Sequence, residues 1–464
     1  MTQQPKPTVA VIGGGLAGLA AGCALAESGF HVTLFERRPY LGGRASSYEH
    51  PGTGEVVDNC QHVLLGCCTN LIQFYRRIGV EHKIRWYDRL TFIEPGGRTS
   101  VIRQASLPAP FHTTPSFLGS GCLNWRDKLA IARAMAVLAR KLPPKNGENF
   151  LSWLGRHGQT PRAIDHFWTP ILVSALNEDL DRISVPYAAH VVRESFMKSA
   201  QAGNMGIPTV PLTDLYSRAG RYIEARGGEI RLRSGIESLR VEAEGVKLAS
   251  GERIENFEFV VSAVPFDVLA RILPSNNAAA PLRSDLSKFE VSPITGIHLW
   301  FDRAITHLDH AVLLDRTIQW MFHKSRLLGR EAESGGSYVE LVVSSSKSLI
   351  EKSRQEIIDL ARSELCEFFP EASSAALLKA TVIKEVRATY SPLPGVDAYR
   401  PAHRTVWPRV FLAGDWTGTG WPATMEGAVR SGYGAAECLA LAVGQNKEFL
   451  VPDLKAKGLM RLFS

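Results

Sequence analysis

A glycine-rich turn between two apolar runs constrains this chain more than any other segment. Residues 8–12 read TVAVI, and the turn GGGLAG of residues 13–18 follows directly. An alanine-rich run then leads to Gly29, and a second apolar run, HVTLF, is closed by Glu36. Strand, glycine turn, helix, strand and acid within about 30 residues are typical of a dinucleotide-binding βαβ unit. The pattern predicts a Rossmann-like N-terminal fold.

The residue types of this turn match that chemistry. Gly13 permits the tight turn, Gly15 lets a phosphate approach the backbone, and Gly18 lets the helix and strand pack closely. The pyrophosphate is expected at the helix N-terminus, where N–H groups and the helix dipole favour anions. Glu36 is placed to hold the ribose hydroxyls, and we therefore predict a bound dinucleotide.

Two further segments favour FAD over NAD. A second glycine turn follows at Gly43, and Arg44 beside it offers another phosphate contact. Near the other end of the sequence, the apolar run FLA leads into Gly414 and Asp415, and Met425 lies at the start of a predicted helix. The N–H groups of that helix start are expected to stabilise negative charge on a reduced flavin. An extended FAD needs such contacts from distant parts of a chain.

The length and pattern of the chain predict more than one domain. Its 464 residues are too many for one compact core. Runs at residues 294–301 and 338–344 predict an antiparallel sheet, and much of residues 125–199 has helical periodicity. We predict an α/β protein whose Rossmann-like FAD-binding domain is joined to an α+β substrate domain of antiparallel sheet plus helices. The FAD-binding domain is assigned residues 1–90, 205–290 and 385–445, the substrate domain residues 91–204 and 291–384, and a basic apolar tail residues 446–464.

The charge of the chain favours an anionic partner. Its formal net charge is +7, yet the sequence contains no nucleic-acid-binding module, so lipid is the better candidate. No apolar run reaches the roughly 18 residues of a spanning helix, and no secretory signal is expected at the start. We expect a cytoplasmic protein, peripheral on the inner face of the cell membrane.

Two segments are candidates for membrane contact. Residues 125–142 predict a basic helix, which Pro143-Pro144 ends. The residues on one side of it are Leu129, Ala132, Met135, Ala139 and Leu142. The sequence KAKGLMRLF, residues 455–463, is a basic apolar tail. Basic side chains beside apolar ones are typical of surfaces that contact anionic lipid.

The seven cysteines favour neither disulfides nor a metal. Their number is odd, the chain is long, and no CxxC pair occurs. We expect a reducing cytosol and no metal site, with Cys60, Cys67 and Cys68 acting as small packing residues.

Several segments resemble known families. ERRPYLGGRASS, residues 36–47, resembles the signature of the FAD-dependent amine oxidase and phytoene desaturase superfamily, and residues 57–80 resemble plant-type carotene desaturases. In combination with residues 85–98, 106–112, 388–401 and 411–432, the chain resembles the hydroxysqualene dehydroxylase family, also called squalene-associated FAD-dependent desaturases of hopanoid pathways. The cofactor contacts predicted from the motifs and from this resemblance are Gly13, Gly15, Ala17, Gly18, Glu36, Arg37, Gly43, Arg44, Ile236, Gly414, Asp415 and Met425.

The resemblance implies a reaction in which hydroxysqualene loses its allylic hydroxyl and gains a hydride from reduced FAD, giving squalene. A dry site is expected to protect the allylic cation, and some group must protonate the departing oxygen. His62 is the candidate acid, and Asp58 is expected to brace its loop. Trp416, Trp421 and Tyr433 are candidates for lining the pocket. The electron donor that reduces the flavin is not predicted.

Three alternatives stay open. The nearest is a phytoene or ζ-carotene type desaturase or isomerase, which would oxidise a polyene. The second is a flavin amine oxidase, which would place an aromatic cage against the flavin. The third is a lipid-binding protein with a vestigial flavin site.

Overall fold

A five-stranded parallel sheet forms the first core. The computed structural model describes residues 6–140, 147–330 and 336–462. The predicted strands Thr8–Ile12 and His31–Phe35 are present with those bounds and are buried along most of their length, as expected of strands covered on both faces. The strand order across the sheet is Glu229–Arg231, His31–Phe35, Thr8–Ile12, Phe259–Ser262 and Val410–Leu412.

Small residues let two helices approach each other closely on this sheet. The helix Leu16–Glu27 follows the glycine turn, and nearly all of its residues are buried. It packs against Met425–Ala442, where a Cβ added to Gly432 would lie 2.2 Å from the Ala17 carbonyl oxygen. The alanine- and glycine-rich composition of both helices is therefore what permits their contact.

One predicted buried strand is present with shorter bounds. The apolar run at residues 257–264 predicts a strand that ends at Pro265, and Phe259–Ser262 is that strand, paired with Thr8–Ile12 and Val410–Leu412. Phe257, the first residue of the run, instead ends the strand Arg253–Phe257, which joins Ser238–Val241 and Val246–Ser250 in a small antiparallel sheet. An apolar run alone does not show where one strand ends and the next begins.

A seven-stranded sheet forms the second core, and it confirms the predicted α/β architecture with an antiparallel second sheet. Its neighbouring strands are antiparallel except for one parallel pair, His310–Leu313 with Arg89–Ile93. Two of its strands run across the predicted domain boundaries at residues 90 and 384, and those boundaries stay predictions. The order is Leu377–Tyr390, Val291–Phe301, Ser337–Ser344, Trp320–His323, His310–Leu313, Arg89–Ile93 and Thr99–Arg103.

The two faces of this sheet have different partners. Ile297, Leu299 and Leu341 point to one face, where they share a core with helix Arg354–Phe368. Because side chains alternate along a strand, His298 and Glu340 point to the opposite face. On that face Phe322 and Val342 pack with Cys60.

The helical insertion contains one correction. The helix Trp125–Arg140 is present, but its buried residues are Asp127, Ala130, Ile131, Ala134 and Leu138. Leu129 is exposed, so the predicted apolar side is not the buried side. Residues 141–146, with the predicted helix end and Pro143-Pro144, lie outside the described residues. The other helices of this region are Thr114–Gly119, Phe150–Arg156, Thr169–Leu176 and Val185–Val192.

Shorter elements connect the two cores. Small sheets pair Ser47–Glu49 with Val56–Asp58, and Met205–Pro208 with both Leu64–Leu65 and Ile84–Tyr87. Within the described ranges, no helix is both long enough and apolar enough to cross a membrane. The remaining main helices are Thr69–Arg77, Leu212–Glu224, Phe266–Ile272 and Ala280–Leu286.

Candidate functional site

The glycine turn has the conformation that its sequence predicts. Gly13 has a φ of 107°, and its N–H donates to the Phe35 carbonyl oxygen at 2.8 Å. A Cβ on Gly18 would lie 1.9 Å from the Gly13 carbonyl oxygen, so only glycine fits there. Glu36 accepts hydrogen bonds from the N–H groups of Gly14 and Arg38, each at 2.8 Å. The carboxylate therefore lies against the turn.

The second glycine turn lies directly on the first. Gly15 and Gly42 form a parallel bridge, and Gly42 N–H donates to the Gly14 carbonyl oxygen at 2.8 Å. Gly43 has a φ of 61°, and a Cβ there would lie 2.9 Å from Gly15 Cα. Helix Leu16–Glu27, whose second residue is Ala17, starts at this point. Its N-cap residue is Gly15, which has no side chain that could cap the helix. Its first N–H groups are thus available to an anion.

A distant segment completes this surface. The Arg44 guanidinium donates to Asp415 Oδ1 at 2.8 Å and to the Ala388 carbonyl oxygen at 2.7 Å. Gly414 N–H donates to Ser431 Oγ at 2.7 Å, which ties the last strand to the helix Met425–Ala442. Residues 371 positions apart in the sequence therefore meet, as the prediction of a two-ended FAD site requires.

The other predicted cofactor residues lie around this centre. Arg37 is exposed, and Ile236 lies in a buried position two residues after Ser234, whose N–H donates to the Glu36 carbonyl oxygen at 2.9 Å. Met425 begins the helix that Thr424 caps, and Tyr216 Oη donates to its Sδ at 3.6 Å. The contacts assigned between these residues and FAD stay predictions.

The loop of residues 58–62, here called the site loop, carries the predicted acid. His62 donates from Nδ1 to the Cys60 carbonyl oxygen at 2.7 Å. Burial lowers the pKa of His62, so the ring is neutral at pH 7 in this environment, whereas an acid must carry a proton. Its catalytic role stays a prediction. Asp58 accepts from Ser47 Oγ at 2.6 Å and from Leu212 N–H at 3.2 Å, so it braces the loop.

Sequence reasoning missed a buried ionic group beneath the site loop. Lys324, 2% exposed, donates to Asp58 Oδ2 at 2.6 Å and to Gln61 Oε1 at 2.7 Å. Glu340 Oε2 lies 3.5 Å from the same ammonium. The available signal was a charged residue inside each of two apolar strand patterns, WMFHK and YVELVV. Without the sheet register, such a residue cannot be assigned a partner.

The pKa values in this group follow from burial and charge. Burial opposes the charged forms of Asp58 and Lys324, but their ion pair outweighs it together with the bonds from Ser47 and Leu212 to Asp58 and the charge of Glu340 near Lys324. The pKa of Asp58 is therefore lowered and that of Lys324 is raised. Burial raises the pKa of Glu340 to about 7 although Lys324 opposes this shift. His298, the cross-strand neighbour of Glu340, has its pKa lowered to about 3 by burial.

Two further buried charges fix the loops around the site. Glu426, fully buried, accepts from the N–H groups of Asn70 and Leu71 and from Arg430 Nε. Arg400 donates to the carbonyl oxygens of Asp415, Thr417 and Trp421. Neither residue was predicted to fix these loops, because most of the groups that they bond to lie in other segments of the chain.

The proposed aromatic lining is mostly engaged in packing. Trp416 is buried and its Nε1 donates to the Val264 carbonyl oxygen at 3.1 Å. Trp421 contacts the His190 ring edge-on and lies under the Arg430 guanidinium. Tyr433 Oη donates to Gln73 Oε1 at 2.6 Å. The structure thus gives all three rings contacts within the protein.

One group of potential metal ligands occurs away from this site. Glu94, His166 and Asp315 place ligand atoms within 4.8 Å of one another. Glu94, however, is already paired with Arg98 and Arg162, and His166 Nε2 lies 2.8 Å from Asp315 Oδ1. Two guanidinium groups beside a carboxylate repel a further cation. We therefore assign no metal to it.

The residues at the main site fit FAD. The uncapped helix start, with Gly15 and Gly43 at a separation that a side chain would fill, leaves a cradle for a pyrophosphate. Glu36 lies against the turn, where a ribose contact is predicted, and Arg44, next to Gly43, pairs with Asp415. These donors and acceptors come from three separate segments.

Comparisons with known proteins agree with this fit. The family described as flavin containing amine oxidoreductase matches residues 16–440. A 15-cis-phytoene desaturase from Solanum lycopersicum is 27% identical, over 96% of this chain and 80% of the relative. The Synechococcus elongatus 15-cis-phytoene desaturase is also 27% identical, over 93% and 95%. A probable zeta-carotene desaturase of that organism is 26% identical, over 93% and 98%.

Solved structures share the fold. An oxidoreductase from Methanosarcina mazei superposes with a TM-score of 0.70 at 17% identity, over 92% of this chain and 98% of that one. Cyclohexylamine oxidase from Brevibacterium oxydans gives 0.69 at 18% identity, over 95% and 100%. At these identities the match establishes architecture alone.

Proposed function

Because the chain belongs to the flavin-containing amine oxidoreductase family, we propose that it is an FAD-dependent oxidoreductase of a long-chain isoprenoid, and that it desaturates a polyene of the phytoene or ζ-carotene type. The family and the site together make FAD its cofactor. The substrate is the part that this proposal adds.

One observation carries the choice of substrate. Relatives named as phytoene and zeta-carotene desaturases match nearly the whole chain, including both cores, at 26–27% identity. The amine oxidases among the solved structures match at 18% or less. A polyene hydrocarbon offers no polar groups, so its affinity must come from apolar burial, at about 0.8 kcal/mol per CH₂.

Different residues of the chain are assigned to cofactor binding and to proton transfer in such a reaction. Desaturation removes a hydride from one carbon and a proton from its neighbour, and FAD, when bound, supplies the hydride acceptor. Glu36 holds the ribose end, and the first turn of Leu16–Glu27 holds the pyrophosphate. Arg44 and Asp415 fix the approach of residues 411–416 to that site. The neutral His62 is suited to accept a proton, in the reverse of the role that dehydroxylation requires.

A second candidate function is the reduction of hydroxysqualene to squalene. The combination of residues 57–80 with residues 85–98, 106–112, 388–401 and 411–432, which resembles the hydroxysqualene dehydroxylase family, favours it. In that reaction the C–O bond breaks, the oxygen leaves as water with one added proton, and a hydride fills the vacated carbon. His62 would then have to carry the proton.

Single-turnover experiments distinguish the two. Anaerobic oxidised holoenzyme is mixed with phytoene or ζ-carotene, and dithionite-reduced holoenzyme is mixed with hydroxysqualene. Desaturation predicts bleaching of the flavin with one new double bond per flavin. Dehydroxylation predicts flavin reoxidation with one squalene per flavin. If protein that carries its flavin gives neither response, the isoprenoid assignment is contradicted.

We also propose that a membrane surface delivers the substrate, because long-chain isoprenoids dissolve in bilayers. Trp125 and Leu118 are 68% and 59% exposed, and Leu462 is 78% exposed. These residues lie on neighbouring segments, since Lys128 Nζ donates to the Leu118 carbonyl oxygen and Leu459 N–H to that of Ala109. Arg126, Lys128 and Lys457 add positive charge for anionic lipid.

A further inference from the structure

The Lys324 cluster, comprising Lys324, Asp58, Gln61 and Glu340, is the strongest feature that the cofactor contacts leave unused. Its four residues are at most 9% exposed. The Lys324 ammonium donates to Asp58 at 2.6 Å and to Gln61 at 2.7 Å, and lies 3.5 Å from Glu340. One ammonium thus engages two members of the site loop at once.

This cluster joins the two cores of the molecule. Asp58 also accepts from Ser47 and from Leu212 N–H, which starts the helix Leu212–Glu224 on the dinucleotide-binding side. Lys324 directly follows the strand Trp320–His323 of the seven-stranded sheet. The bond between Lys324 and Asp58 spans 266 residues of sequence. It therefore fixes the site loop to the sheet.

The sheet is shaped to receive the loop. A Cβ added at Gly296 would lie 3.6 Å from the Asn59 carbonyl oxygen and 3.9 Å from Cys60 Cα. The loop backbone thus lies over a strand position that has no side chain. Cys60 packs with Phe322 and Val342 on the same face. The loop is held by close packing around Cys60, by the ion pair at Asp58 and by the hydrogen bond that the Gln61 amide oxygen accepts from Lys324.

A buried ion pair is a poor means of adding stability. Removing two charges from water offsets most of their attraction, and apolar side chains of similar volume often stabilise as much. What an ion pair adds is direction, because its hydrogen bonds fix one geometry. We therefore expect Lys324 to contribute more to the fixed position of the loop than to the free energy of unfolding.

We propose that Lys324 is a positioning residue, which holds the site loop, and His62 with it, in one place against the seven-stranded sheet. This inference rests on the proposed function, since the loop matters for catalysis only if the flavin site operates. Lys324 acts through Asp58 and Gln61.

The test uses two variants in the full-length holoenzyme. Lys324→Met leaves Asp58 buried without its cation, and we expect a lower melting temperature. Lys324→Met combined with Asp58→Asn removes both charges, while the amide oxygen can still accept from Ser47 and Leu212. We expect this double variant to regain most of the melting temperature.

Three measurements follow the loop. In the double variant we expect hydrogen exchange of the amides of residues 58–62 to accelerate about 10-fold or more, with and without FAD. The visible circular dichroism of the bound flavin should change, and the single-turnover rate should fall about 10-fold or more. Exchange and dichroism need no substrate, so they remain decisive if neither isoprenoid reacts.

A matched control is available in Lys379→Met. Lys379 lies on the strand Leu377–Tyr390 of the seven-stranded sheet. It donates to Glu55 Oε1, just before the strand Val56–Asp58, at 2.6 Å, but unlike Lys324 it is exposed. We expect this variant to match the wild type in all measurements. The proposal would be overturned if the double variant showed the same hydrogen exchange, flavin dichroism and single-turnover rate as the wild type. So would a double variant that regains no stability, because Lys324 would then serve the fold itself.

Discussion

At the scale of single residues, Glu36 is the residue assigned to the ribose of FAD. Its carboxylate accepts from two backbone N–H groups, so it is already oriented before a ribose arrives. This arrangement follows from its position at the end of a strand beside the turn. Orientation by backbone atoms makes the residue difficult to replace.

We expect Glu36→Ala to weaken FAD binding about 10- to 100-fold, because a hydrogen bond to a charged group contributes about 1.5–3 kcal/mol. Titration of apoprotein with FAD, followed by flavin fluorescence, measures the dissociation constant. Glu258→Ala, at an exposed position, is the control and should bind as the wild type does. Equal affinity in the Glu36 variant would contradict the ribose assignment.

Glu340 predicts a pH dependence of stability. Its nearest ionic contact within the described part of the chain is long, since the Lys324 ammonium lies 3.5 Å from its Oε2. Burial raises its pKa from 4.5 to about 7, so the folded state holds a proton that the unfolded state releases. The contribution is complete below pH 4.5 and is lost as the pH rises through 7.

We expect Glu340→Gln to remove this loss. The difference in unfolding free energy between variant and wild type should grow by about 3 kcal/mol from pH 4.5 to 7 and then level off. Denaturant unfolding at several pH values measures it. Glu371→Gln, at an exposed position, should give a curve parallel to that of the wild type. A parallel curve for Glu340→Gln would show that Glu340 is ionised when folded.

At the scale of elements, the contact between helices Leu16–Glu27 and Met425–Ala442 couples the two ends of the sequence. Gly432 is the point of closest approach, since its missing side chain admits the Ala17 carbonyl oxygen. Cofactor contacts are predicted at the starts of both helices, at Gly15, Ala17 and Met425. We therefore expect the spacing of these helices to affect FAD binding.

We expect Gly432→Ala to destabilise the protein by about 1–3 kcal/mol through overpacking and to weaken FAD binding. Gly155→Ala is the matched control, because Gly155 is also helical but nothing lies within 4 Å of an added Cβ. The control should be neutral or stabilise by up to about 1 kcal/mol. Thermal unfolding and FAD titration measure both. Equal effects of the two substitutions would contradict the spacing argument.

At the scale of the whole molecule, exposed apolar residues gather on the helical insertion and the tail. Of the predicted contact surfaces, the exposed face of Trp125–Arg140 includes Leu129, which was predicted to be on the apolar side. The tail is described through residue 462, so Phe463 lies outside the described residues. Met460 packs inward, which holds the tail against this surface.

We expect the double substitution Leu118→Glu and Trp125→Glu to lower binding to phosphatidylglycerol vesicles about 10-fold or more, since each side chain would lose about 1.5 kcal/mol or more of apolar transfer. Sedimentation with vesicles measures it, and added salt should weaken the wild type. Leu378→Glu, on the strand at the opposite edge of the sheet, is the control. Unchanged binding of the double variant would rule out this surface.

The sequence by itself determined the βαβ unit, FAD as the cofactor and the class of fold. These rest on local rules: which residues permit a tight turn, which end a helix, and which alternate along a strand. Gly13, Gly18 and Glu36 could be assigned roles without any distant partner. The family followed from the same local motifs.

Only the tertiary structure decided which distant groups meet. Lys324 and Glu340 lie within apolar sequence patterns, which do not indicate a partner for a charged side chain. The fold brings Asp58 to Lys324, and the sheet register brings His298 to Glu340. The buried side of Trp125–Arg140 was likewise set by its neighbours, because apolar residues lie on more than one side of this helix, as Leu129 and Leu138 do. Long-range pairing depends on how whole surfaces fit together, and local residue preferences do not contain that information.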